Sequence, residues 1–126
     1  MKSRKIKVSI TGCMGRMGQE LIKAIKKDNK FKIHSLTEST LISKKISGIK
    51  PQLNNENTFK GTNIIVDFTT PKCTFEILKI ATKLKKRVVI GTTGFTKTEE
   101  NLIKKFSKTI PILKAGNMSL GINLLM

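Results

Sequence analysis

The stretch Lys5-Ile6-Lys7-Val8-Ser9-Ile10-Thr11-Gly12-Cys13-Met14-Gly15-Arg16-Met17-Gly18 decides the fold. Its first half alternates Ile6, Val8 and Ile10 with Lys7, Ser9 and Thr11, the two-residue period of a strand over 5–11. Its second half carries glycines at 12, 15 and 18. A helical pattern follows over 15–28, with Met17, Leu21 and Ile25 on one face. Strand, glycine loop and helix form the context that a dinucleotide fingerprint requires. Gly12 permits the tight turn, Gly15 lets backbone approach a pyrophosphate, and Gly18 lets the helix pack closely on the sheet. The helix N–H groups and the positive end of its dipole then face the phosphates, and Arg16 adds a cation at the same end. The spacing is G-x-x-G-x-x-G, a variant of G-x-G-x-x-G, and a simple glycine turn also satisfies it. A second feature comes from the next strand, read over 31–37. Glu38 lies at its end, 20 residues after Gly18, where a carboxylate can accept hydrogen bonds from adenosine ribose hydroxyls.

Outward from this stretch the chain alternates strand and helix. Pro51, Asn54, Asn55, Asn57 and Gly61 mark loops across 39–61, with room only for short elements. Ile64-Ile65-Val66 is a short continuous apolar run, which predicts a buried parallel strand over 63–68. Pro71 opens a helix whose face is Ile77, Ile80, Ala81 and Leu84. A buried strand follows over 87–90. The next helix covers 96–108, with Thr96 or Thr98 as its cap and Leu102, Ile103 and Phe106 as its buried stripe. A strand over 110–114 and the start of a helix over 119–126 complete the pattern. The expected architecture is α/β: a Rossmann-type, doubly wound, mainly parallel sheet.

In such a sheet, ligands sit beyond the carboxyl ends of the strands. Three of those ends are chemically marked: Asp67-Phe68-Thr69-Thr70-Pro71, Gly91-Thr92-Thr93-Gly94 and Ala115-Gly116-Asn117-Met118-Ser119. Their glycines allow close backbone approach, and their Thr, Asn and Ser side chains offer donors and acceptors to a carboxamide or carboxylate. Taken singly they read as loops and helix caps. Together with the glycine loop they point to a nicotinamide-bearing cofactor.

Composition bounds the rest. The chain has 126 residues, of which 38% are hydrophobic and 26% charged, enough for one packed domain. No apolar run approaches the ~18 residues of a membrane span, and the alternation after the basic start argues against a signal peptide. Cys13 and Cys73 form no C-x-x-C pair and read as reduced thiols of a cytoplasmic protein. No metal-ligand spacing appears. The net charge of +17 invites a nucleic-acid reading. However, 22 of the 25 basic residues are lysines dispersed along the chain, and there is no Trp or Tyr. That pattern suits a lysine-coated surface and anionic small ligands, with no specific nucleic-acid site.

Gly12-Cys13-Met14-Gly15-Arg16-Met17-Gly18, Asp67-Phe68-Thr69-Thr70-Pro71, Gly91-Thr92-Thr93-Gly94 and Asn117-Met118-Ser119-Leu120-Gly121 together resemble the dihydrodipicolinate reductases of bacterial lysine and diaminopimelate synthesis. The resemblance runs the length of the chain, in the family's order. It implies reduction of 4-hydroxy-tetrahydrodipicolinate, after loss of water, by hydride from NADH or NADPH. By resemblance, Gly12, Cys13, Met14, Gly15, Arg16 and Met17 hold the pyrophosphate, and Glu38 the adenosine ribose. Thr69 belongs to the same edge. Gly91, Thr92 and Thr93, with Ala115, Gly116, Asn117 and Met118, frame the nicotinamide. Many members carry an arginine after the ribose carboxylate, able to meet a 2′-phosphate. Here that position is Ser39, which puts NADH on a par with NADPH unless Lys44 or Lys45 substitutes.

The family's general acid and dicarboxylate-binding residues lie in a substrate domain that these residues do not include. Residues 1–126 are therefore expected to be the dinucleotide-binding domain, inactive alone and with no catalytic residue of its own; His34, the only histidine, reads as structural. The resemblance also implies that the family's C-terminal end completes this sheet, and that the full-length protein is a homotetramer acting on a small dicarboxylate. Two other readings are open. A short-chain dehydrogenase would need a Tyr-x-x-x-Lys pair, and the chain has no tyrosine. A non-catalytic NAD(P)-binding or redox-sensing module needs nothing further.

Overall fold

The computed structural model describes residues 4–115. Five strands form one parallel sheet: β1 (Ile6–Thr11), β2 (Phe31–Thr37), β3 (Ile64–Asp67), β4 (Arg87–Ile90) and β5 (Ile112–Lys114), in the order β2-β1-β3-β4-β5. The helices are α1 (Arg16–Lys26), the short α2 (Glu56–Phe59), α3 (Pro71–Leu84) and α4 (Lys97–Phe106). This is the doubly wound α/β arrangement that the alternation predicts. The chain leaves β1 in one direction towards β2 and returns to β3 on the other side. The carboxyl ends of β1 and β3 therefore border a switch point, where a crevice opens.

Two apolar layers sandwich the sheet. On one face Val8, Ile10, Val66 and Val89 pack with Leu21, Ile22 and Ile25 of α1. On the other, Ile65, Val88 and Ile90 pack with Ile77, Leu78 and Ala81 of α3 and Ile103 of α4. Burial on both faces explains why β3 and β4 read as continuous apolar runs.

The stripes differ from expectation in all three long helices; in α3 Leu78 is buried, and the expected Ile80 and Leu84 are half-buried. α1 buries Gly18, Leu21, Ile22 and Ile25, and Met17 is 42% exposed. Gly18 has to face the loop, because a Cβ there would lie 2.5 Å from Gly12 O. That orientation turns the preceding residue, Met17, about 100° away around the helix. In α4 only Ile103 is fully buried, and Leu102 is 42% exposed. This helix packs on α3, and its buried face is narrow.

β2 also departs from simple alternation. Val8 pairs with Ile33 but Ser9 pairs with Ser35, so His34 is an extra residue at a bulge. Beyond it Ser35, Leu36 and Thr37 are all buried, because α1 and α2 both pack on this strand. The Ser9 and Ser35 hydroxyls pair at 2.6 Å, and Ser35 donates onward to Thr58 O at 2.9 Å. The His34 ring lies against Gly61, where an added Cβ would be 2.6 Å from His34 Cε1. Partial burial and the charges of Lys7, Lys86 and Lys32 hold its pKa below the ordinary value. Ser119–Met126, expected to begin a helix, lies outside the described residues.

Candidate functional site

The crevice at the switch point is built from the glycine loop upward. Gly12 has φ +71°, and a Cβ there would lie 2.1 Å from Phe68 O. Only glycine permits both the left-handed turn and this contact with the end of β3. The loop is tied to β2 by two backbone bonds, Gly12 N–H and Cys13 N–H to Thr37 O at 3.0 and 3.2 Å. Gln19 Nε2 donates to Met14 O at 2.8 Å and secures it to α1. Glu38 completes the ring: its Oε2 accepts from Met14 N–H at 2.7 Å, and its Oε1 from Ser39 N–H at 3.3 Å.

Behind this loop α1 begins without a cap. Gly15 occupies its N-cap with no side-chain hydrogen bond, and the first turn holds no acid. α3 and α4, by contrast, are capped by Thr70 and Thr96. The α1 donors and the positive end of its dipole are thus free to meet an anion. A Cβ on Gly15 would meet only Gly12 O, at 3.4 Å. It would otherwise occupy the cleft of about 270 Å³ that Gly12, Gly15, Glu38, Phe68, Thr69 and Cys73 line. That vacant volume beside unpaired N–H groups fits a pyrophosphate. A contiguous cleft of about 370 Å³ shares Glu38, Ser39, Thr70 and Cys73 and extends over Asn54, Lys72 and Glu76.

The structure brings Gly12, Gly15, Glu38 and Thr69 to one cleft, and Met14, Arg16 and Met17 stand exposed at its loop and helix start. Other expected contributors have different surroundings. The Cys13 side chain is wholly buried, and burial first, then the charge of Glu38, pushes its thiol up to about 11. Cys13 therefore offers backbone alone. Cys73 lines both clefts half-buried, and burial raises its thiol as well. A Cβ on Gly91 would lie 2.2 Å from Phe68 Cε1, so this glycine makes room for the Phe68 ring. Thr93 is exposed, and Ala115 is buried with its N–H on Ile90 O at 2.9 Å. Gly116, Asn117 and Met118 lie outside the described residues.

Thr69 and Thr92 serve a centre that the sequence reading does not single out. The carboxylate of Asp67 is fully buried at the end of β3. It accepts from Thr11 Oγ1 at 2.7 Å, Thr69 Oγ1 at 2.6 Å, Thr92 Oγ1 at 2.9 Å and the Thr74 hydroxyl. Thr92 Oγ1 also lies 2.8 Å from Thr69 N and accepts its hydrogen. One carboxylate thereby joins β1, β3, the start of α3 and the loop after β4. The hydroxyls of Thr69 and Thr92 are directed inward to Asp67, where donors to a carboxamide were expected. The available signal was the excess of threonines at three strand ends around one Asp.

Among the described residues no three His, Cys, Asp or Glu side chains gather as a metal site. No helix there is long and apolar enough to cross a membrane.

A parallel sheet with a glycine loop and a strand-end carboxylate at its switch point defines a Rossmann-type domain of the dinucleotide-binding class. Residues 6–118 match the family model described as dihydrodipicolinate reductase, N-terminus, and the chain belongs to that family. The 4-hydroxy-tetrahydrodipicolinate reductase of Pelagibacter ubique (strain HTCC1062) is 68% identical over 123 residues, covering 98% of this chain and 48% of that protein. That of Buchnera aphidicola subsp. Acyrthosiphon pisum (strain 5A) is 40% identical over 138 residues, covering 98% and 50%. The chain spans about half the length of the curated relatives it matches. A dipicolinate-bound dihydrodipicolinate reductase from Paenisporosarcina sp. TG-14 has the same fold, with TM-score 0.69 and 24% identity over 90% of this chain and 48% of that one.

Proposed function

We propose that residues 1–126 are the cofactor-binding domain of a 4-hydroxy-tetrahydrodipicolinate reductase, which forms tetrahydrodipicolinate with NADH or NADPH in diaminopimelate and lysine biosynthesis. The observation that carries this reading is the convergence of Gly15, the uncapped start of α1 and Glu38 on one cleft. The dinucleotide, when bound, supplies the hydride.

The chain's own residues bind and orient. The 12–17 backbone and Arg16 neutralise and hold the pyrophosphate. Glu38 accepts from the ribose while keeping Met14 in place. Gly91, Thr92 and Thr93, with Ala115, stand at the nicotinamide end. Asp67 keeps that end in register with the glycine loop through its threonines. Positioning of this kind lowers the barrier by holding donor and acceptor in reacting geometry.

Proton delivery and the clamp for the dicarboxylate are assigned to the remainder of the full-length reductase. In this reading His34, held at the β2 bulge against Gly61, has a packing role.

The test is an NADH-oxidation assay with freshly generated 4-hydroxy-tetrahydrodipicolinate. Loss of a positioned acid alone typically costs about 10²–10⁴-fold in rate. The 126-residue chain should therefore show no turnover, and activity should return when the remaining part of a full-length reductase is supplied. Full turnover by the chain alone would overturn these residue roles.

A further inference from the structure

We propose that Lys72 is the cation that receives the 2′-phosphate of NADPH, so that cofactor preference is set from α3 and not from the residue after the ribose carboxylate. The proposal rests on the reading that the switch-point cleft holds a pyridine dinucleotide.

Glu38 ends β2 and is followed by Ser39, which has no charge to offer a phosphate. The two cations nearest in sequence, Lys44 and Lys45, are exposed in the following loop and do not line either cleft. Arg16 stands at the start of α1 and does not line them either. Lys72 does. It sits in the first turn of α3, directly after Pro71, and shares the 370 Å³ cleft with Glu38 and Ser39. Among the described residues it is the one cation on the walls of that cleft. Its ammonium is exposed and, among the described residues, forms no ion pair.

The cleft offers one cation, Lys72, to a ribose bearing an extra phosphate, against the carboxylates of Glu38 and Glu76. Glu38 suits free hydroxyls and repels a phosphate, so a phosphorylated ribose needs a compensating cation within the same cavity. Lysine supplies a compact charge on a flexible four-carbon stem, which can follow the ligand without a preformed fork. Glu76, one turn further along α3, also lines the cleft. Its charge opposes the phosphate and keeps the preference moderate. The cleft therefore accepts both cofactors, with Lys72 tipping the balance towards NADPH.

The experiment is calorimetric titration of NADH and NADPH into the wild-type protein, Lys72→Met, and a Lys44→Met/Lys45→Met control. A charge-assisted bond to the phosphate corresponds to roughly tenfold in affinity. Lys72→Met should weaken NADPH by about that factor and leave NADH within about twofold, and the control should match wild type. Added salt should narrow the NADPH-to-NADH ratio in wild type and leave it unchanged in Lys72→Met. Equal loss for both cofactors would place Lys72 against a part they share and overturn the proposal. So would an unchanged ratio, or loss in the control alone. If wild type binds neither cofactor, the cofactor reading itself falls and takes this proposal with it.

Discussion

The backbone N–H of Met14 donates to Oε2 of Glu38 at 2.7 Å, so the carboxylate suited to a ribose also fixes the shape of the glycine loop. Removing it has two separable consequences. Glu38→Ala should weaken NADH binding at least tenfold, the scale of a lost charge-assisted hydrogen bond. It should also speed hydrogen exchange at the Met14 amide in the free protein. Weaker binding with unchanged exchange would mean that the loop holds its shape without Glu38.

Asp67 should matter for folding before it matters for binding. Its buried carboxylate accepts from four hydroxyls. In Asp67→Asn one oxygen becomes an NH₂ that faces donors. The cost should be about 2–4 kcal/mol, as expected for a buried network left partly unsatisfied. Urea unfolding should show a lower midpoint with the same slope. A midpoint equal to wild type would show that the hydroxyls re-pair without the charge.

His34 gives the stability a defined pH dependence. Burial and then three lysines lower its folded-state pKa below the ordinary value of about 6.5. The folded protein therefore binds fewer protons at this site than the unfolded chain. The stabilisation is present above pH ~6.5 and is lost as pH falls through the lowered value. Unfolding midpoints of wild type should drop more steeply between pH 7.5 and 5 than those of His34→Gln. Parallel curves would remove His34 from the account.

The central strands were legible because buried parallel strands must be apolar on both faces, as Ile64–Val66 and Val88–Ile90 display. What failed was set by contacts between distant residues. Met17 loses its place in the stripe because Gly18 must meet Gly12 O. The β2 alternation breaks because His34 is bulged out against Gly61. The glycine loop and Glu38 were readable as a local unit with a fixed spacing. The Asp67 cluster was not, since Thr11, Thr69, Thr74 and Thr92 come from separate elements and meet only in the folded sheet. Lys72 was hidden for the same reason: its nearness to Glu38 follows from the β1–β3 crossover and not from sequence distance.

The charge of +17 should give only salt-sensitive attraction to nucleic acid. Dispersed lysines neutralise phosphates but read no bases. Duplex binding measured by fluorescence anisotropy should vanish between about 50 and 200 mM salt and be the same for unrelated sequences. A sequence-selective footprint at physiological salt would contradict this.

A pyridine dinucleotide is expected to lie across the glycine loop with its pyrophosphate beside Gly15. Calorimetric titration of NADH into wild type and Gly15→Val tests it most directly. Gly15 has φ −70°, so valine imposes no left-handed strain, and its side chain enters the cleft and not the core. Wild type should bind and Gly15→Val should not, with circular dichroism showing both folded. Equal binding by the two proteins would place the cofactor elsewhere and contradict the account.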